Sequence, residues 1–204
     1  MEGKADEVRQ GTYATIALGG TRNDILDAVM EAANITVALN DVGEYDFDRL
    51  ASVERAVDSC LQVLEDRLAT AQKKFKVKAT IGPVGLKAGN LLSLAVCAAL
   101  RSVGFDATSL SKTQTPLDLL RNSEELGADL VIPLLAREDV EPQIRLLLEE
   151  IDKGGFKTKF EIIPLVHGLP DVARFSLFVA RNPAEAISRA TEWALKKQTL
   201  HSGE

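Results

Sequence analysis

The chain has 204 residues, 46% hydrophobic and 26% charged, with 30 acidic side chains against 24 Lys and Arg and a formal net charge of −6. An acidic balance of this size leaves no general electrostatic footprint for nucleic acid or for an anionic membrane surface. No apolar run approaches the ~20 residues that span a bilayer, and no N-terminal stretch joins a basic region to an apolar one, so a cytoplasmic protein with a substantial core is expected.

From the N-terminus the pattern is helical. Segments from Ala5 to Leu18, Thr21 to Asn34, Ile35 to Val42 and Phe47 onward read as four helices, with a turn at Gly19-Gly20. In the last of these Leu50, Val53, Val57, Leu61, Leu64 and Leu68 recur at spacings of three and four, which places them on one face. Four such helices make a small bundle over residues 1–73. The polar, basic stretch Ala71 to Lys78 (AQKKFKVK) is the seam to a second domain, residues 74–204.

Past the seam, β-branched runs alternate with helices. Strands are expected at Phe75 to Ile81, Asp106 to Leu110, Asp129 to Leu135, Lys159 to Leu165 and Ser176 to Ala180. Helices are expected at Ala88 to Val103, Thr115 to Leu126, Val140 to Lys153 and Pro183 to Lys197, with a single turn at Pro170 to Arg174 and a frayed tail from Thr199. Thr115-Pro116 and Asn182-Pro183 place a cap before a proline at the first helical position, and Gly104, Gly127 and Gly154-Gly155 end helices. Five strands in this alternation mean a parallel sheet covered by helices on both faces.

The junction Gly82 to Asn90 (GPVGLKAGN) carries the functional signal, because it is a strand, a glycine loop and a helix start. In open α/β folds that junction lies at the carboxyl edge of the sheet, where ligands bind. Glycines there let a ligand approach the backbone, or serve a purely steric need at a tight turn. The strand-to-helix loops also hold Lys87, Lys112, Arg137, His167 and Arg181 in turn. Cations near helix N-termini oppose the macrodipole, so their gathering suggests an anion among them, unless each reaches away to a carboxylate. The chain carries no nucleophile elbow, paired-histidine metal motif or Walker loop. Cys60 and Cys97 fall on apolar helix stripes and read as buried, reduced thiols, and Trp193 reads as core.

Leu39 to Glu44 (LNDVGE), Lys76 to Phe105 and Phe178 to Leu195 (FVARNPAEAISRATEWAL) together resemble the cobalamin-binding module of corrinoid proteins, a four-helix cap followed by a flavodoxin-like domain. The resemblance covers nearly the whole chain and implies a corrinoid cofactor held for a partner methyltransferase. In that family the first loop carries Asp-x-His-x-x-Gly, whose histidine is the lower ligand of cobalt. Here the matching positions are Val84, Leu86 and Gly89, and leucine has no lone pair to offer a metal. The family's Ser-x-Leu after the third strand is matched by Pro133-Leu134-Leu135, and its Gly-Gly after the fourth by His167-Gly168.

Three possibilities stay open: a corrinoid bound with its own base or water below cobalt, a ligand from another loop such as His167, or a fold that has lost the cofactor. The cofactor-binding residues expected are Gly85, Leu86, Lys87, Gly89 and Asn90 in the first loop, Lys112 and Thr113 after the second strand, Leu134 and Arg137 around the third, and His167 and Gly168 after the fourth. The residue that would bind the metal is left open. The resemblance implies that Leu39, Val42 and the Leu50 to Leu68 helix cover the upper face of the corrin. A carrier or accessory protein of a methyl-transfer system is the reading that follows. A cofactor-free regulatory module and an FMN- or nucleotide-binding protein are the alternatives.

Overall fold

The computed structural model describes residues 2–69, 74–86, 89–112, 114–136, 140–153, 155–157, 159–166 and 179–201. Three helices open the chain: α1 (Glu2–Ala17), α2 (Arg22–Asp41) and α3 (Phe47–Ala69). The four helical segments expected there are three among the described residues, because the break foreseen at Asn34-Ile35 does not occur. Ala33, Thr36 and Val37 are buried, and the Thr36 hydroxyl donates back to the Ala32 carbonyl at 2.7 Å. Packing of that stripe carries the helix through a β-branched stretch of modest helix propensity. At its start the Asp24 N–H donates to the Thr21 hydroxyl and the Thr21 N–H to the Asp24 carboxylate, a reciprocal capping box.

The second part runs β1 (Lys78–Val84), α4 (Gly89–Ser102), β2 (Asp106–Ser109), α5 (Pro116–Glu125), β3 (Leu130–Leu135), α6 (Val140–Asp152), β4 (Glu161–Ile162), β5 (Leu165–Val166) and α7 (Pro183–His201). The first strand begins three residues later than expected. Phe75 and Val77 are core residues, with the Phe75 and Phe105 rings 4.6 Å apart. The tail expected to fray from Thr199 remains helical to His201. The turn expected at Pro170 to Arg174 lies outside the described residues.

All described strand pairs are parallel, in the order β2-β1-β3-β4, with β5 also on β3. Leu130 lies opposite Glu161 and Leu134 opposite Leu165, so β4 and β5 are two pieces of the one strand expected there. The gap has a chemical cause. Glu161 and Ile163 donate their N–H groups to the Asp129 and Val131 carbonyls, so the odd-numbered residues of β3 face this strand. Pro133 has no N–H to return to it. At the far edge Ala180 bridges Leu165, which places the end of the last expected strand; Ser176 to Phe178 lie outside the described residues. With β4 and β5 counted as the fourth strand and the segment at Ala180 as the fifth, the order is 2-1-3-4-5, reversing between β1 and β3, a flavodoxin-like doubly wound sheet.

One hydrophobic core joins the three N-terminal helices to α4, α7 and one face of the sheet, while a second lies under α5 and α6 on the other. The N-terminal helices therefore share their core with the sheet domain. Arg22, at the start of α2, donates to the Ser102 carbonyl at the end of α4 (3.2 Å), and the two helices lie along each other in opposite directions. At 1.5 Å per residue α2 is about 30 Å long and α4 about 21 Å. The turn from α2 into α3 thus emerges at the end of the sheet where β1 and β3 finish. Among the described residues no helix is long and apolar enough to cross a membrane.

Candidate functional site

Register brings Val84, Leu135 and Val166 level, so the chain leaves β1, β3 and β5 from one edge. The strand order reverses between β1 and β3 at this edge, the place where doubly wound sheets bind ligands. Gly85 enters the first loop with φ of +71°, a left-handed conformation that a side chain would strain, and it is exposed. Gly89 answers a different need. A Cβ at that position would lie 2.3 Å from Pro83 Cβ and 3.2 Å from Leu86 Cβ, so this glycine closes the loop onto its own strand.

Of the expected site residues, Leu86 (1% exposed) and Leu134 (0%) are packed into the core. An aliphatic side chain at a strand end gains more from turning inward than from facing water. Lys112 is exposed. Lys87, Thr113, Arg137, His167 and Gly168 lie outside the described residues, so the proposed ring of cations is described only at Lys112 and Arg181. Arg181 is engaged by Glu185: its N–H donates to the carboxylate at 2.9 Å and its Nε lies 4.0 Å away. Burial opposes ionisation of Glu185, yet the Arg181 N–H and the Arg189 guanidinium outweigh it and hold the carboxyl below its ordinary 4.5. At this position the carboxylate alternative raised for the basic residues holds.

Asn90, the second residue of α4, and Gln143, in the first turn of α6, lie at the carboxyl edge on the two faces of the sheet. The Asn90 Oδ1 and Gln143 Oε1 atoms are both buried, and among the described residues neither has a hydrogen-bond partner. Gln143 reaches towards the first loop, its Nε2 3.8 Å from where a Cβ on Gly85 would sit. Asn90 was expected at the site; Gln143 was not. Nothing in its spacing separates it from a solvated helix residue, and only the tertiary approach of α6 to the loop reveals it.

Elsewhere the polar chemistry is quiet. Burial pushes the Cys97 thiol up to about 11, and Cys60 Sγ lies 3.2 Å from the Thr12 hydroxyl; both thiols are free. Trp193 is partly buried against the core under Lys197. A trough of about 400 Å³ runs between α1, α2 and α3, lined by Val8, Ile25, Val29, Val53 and Val57. No cluster of three or more His, Cys, Asp or Glu able to hold a metal occurs among the described residues.

No family model and no curated protein matches this sequence. Solved structures do: 93% of the chain aligns with 95% of the monomethylamine corrinoid protein of Methanosarcina barkeri, at TM-score 0.62 and 15% identity. The two chains share one fold. Similarity extends to the methanol:cobalamin methyltransferase complex of M. barkeri (TM-score 0.47, 16% identity, 95% of this chain and 76% of that one). It extends also to a cobalamin-binding protein from Desulfitobacterium hafniense DCB-2 (TM-score 0.47, 13% identity, 91% of this chain and 98% of that one). The helical cap on a flavodoxin-like domain anticipated from the sequence is thus the architecture found.

Proposed function

We propose that this chain binds a corrinoid at the carboxyl edge of β1 and β3, without a lower-ligand histidine from its first loop, and serves a methyl-transfer system as carrier or accessory protein. The observation that carries the proposal is the pair of buried amide oxygens, Asn90 Oδ1 and Gln143 Oε1, that have no hydrogen-bond partner among the described residues at the strand-order reversal. Leaving such an acceptor unpaired costs on the order of 1–3 kcal/mol, a cost removed by a ligand that supplies donors. The corrin ring does so, since it is fringed with carboxamides.

Leu86 stands where the family's histidine would be, and its carbon side chain is sunk in the core. A lone pair for cobalt would therefore have to come from the cofactor's own base, from water or from another loop such as that of His167. When bound, the corrinoid supplies a cobalt centre that takes up and releases methyl groups. The chain's part would be to hold and cover the ring, with Gly85 leaving room at the rim and the α2–α3 turn available to cover it. Val42, in that turn, is 71% exposed, an apolar side chain available to lie on the ring's upper face. A partner methyltransferase would have to displace this cap to reach the metal.

Purified protein mixed with hydroxocobalamin and then desalted should retain colour with an unshifted, base-on visible spectrum. A spectrum altered by His167→Ala would transfer the lower-ligand role to that histidine. A colourless eluate would overturn the proposal in favour of a cofactor-free module, and retention of FMN in a parallel trial would favour a nucleotide site.

A further inference from the structure

We infer that this edge of the sheet selects its ligand by hydrogen-bond donors: Asn90 Oδ1 and Gln143 Oε1 accept from primary carboxamide N–H groups on the ligand's rim, which favours a carboxamide-fringed ring over a phosphate-bearing nucleotide. The inference rests on the corrinoid reading and sharpens it to the chemistry of the ring's edge. Both oxygens are buried and, among the described residues, unpartnered. They belong to the helices that start at the carboxyl ends of β1 and β3, on opposite faces of the sheet. The Gln143 Nε2 is turned towards Gly85, which leaves the oxygen as the atom in need of a partner.

A phosphate presents lone pairs and, at neutral pH, almost no protons. Against two inward amide oxygens it would meet acceptor with acceptor, and neither oxygen would be satisfied. A ring carrying –CONH₂ groups brings the missing donors. Sites built around buried polar groups discriminate strongly against analogues that leave those groups unpaired. Replacing peripheral carboxamides by carboxylates should therefore be punished twice, by the loss of donors and by the burial of charge.

The test uses the full chain with hydroxocobalamin, cobinamide (carboxamides but no nucleotide), cobyrinic acid (carboxylates in their place) and FMN. Wild-type protein should bind the first two comparably, cobyrinic acid at least tenfold more weakly and FMN not at all. Gln143→Leu should weaken hydroxocobalamin binding at least tenfold. It should also raise the melting temperature of the ligand-free protein by about 2–4 °C, because an unsatisfied buried acceptor has been removed. Asn90→Leu is the parallel variant should Gln143→Leu misfold.

Equal binding of cobyrinic acid, an unchanged affinity in both variants, or a lowered melting temperature of the ligand-free variants would overturn the inference while leaving corrinoid binding intact. No uptake of any corrinoid by the wild-type protein would overturn the corrinoid reading itself, and the choice of ring with it.

Discussion

The two edges of the sheet are finished differently. At the amino edge the polar groups answer one another. The Asp129 carboxylate takes the Lys78 N–H at 3.1 Å and the Lys197 ammonium at 2.6 Å, the Lys78 ammonium donates to the Leu126 carbonyl, and Gln198 donates to the Lys74 carbonyl. At the carboxyl edge Leu86 and Leu134 are as tightly buried as any core, yet two amide oxygens on the helices that start there have no partner among the described residues. Unsatisfied buried polar groups are few in folded proteins, so their position at the edge where doubly wound sheets take ligands is informative. One edge secures the fold, and the other holds hydrogen-bonding capacity in reserve.

Substitutions can test that contrast. The largest effect should come from Leu86→Ala, which empties a buried position and should cost about 2–5 kcal/mol in urea unfolding. Because Leu86 lies in the first loop of the carboxyl edge, the variant should also retain less hydroxocobalamin. Next come two glycines, one at each edge. Gly89→Ala would place a Cβ 2.3 Å from Pro83 Cβ, and Gly104→Ala one 2.5 Å from Lys74 Cβ with φ at +105°. Each should cost about 1–3 kcal/mol through overpacking or backbone strain. Only Gly89→Ala should alter corrinoid uptake; an equal loss in Gly104→Ala would break the distinction between the edges.

Asp129→Ala should cost about 1 kcal/mol, chiefly through the lost bond from the Lys78 N–H, since its partly exposed ion pair with Lys197 is screened. Its cofactor uptake should match wild type. The smallest effect concerns Glu185, whose carboxyl is held below 4.5 in the fold. A depressed folded value favours the ionised form, so its contribution is complete above the unfolded value and fades as pH falls through the folded one. The difference in melting temperature between wild type and Glu185→Gln should therefore be constant near neutrality and shrink at pH below about 4.5. A difference that grew on acidification would show that Arg181 and Arg189 do not hold the carboxylate.

The alternation of strand and helix patterns, the caps at Thr115 and Asn182, and the strand-loop-helix junction after Val84 were legible in the sequence, because each is a local rule written in neighbouring residues. So was the absence of a ligating side chain at Leu86, which is a matter of identity alone. Tertiary structure decided the rest. It fused two expected helices into α2 by burying Ala33, Thr36 and Val37, split the fourth strand opposite Pro133, and drew Leu86 and Leu134 inward. It also brought Gln143, some sixty residues along the chain, beside Gly85. Periodicity tells which face of an element is apolar, but not what that face will meet. The meeting depends on contacts between distant segments, and the burial of the Asn90 and Gln143 amide oxygens exists only once those contacts are made.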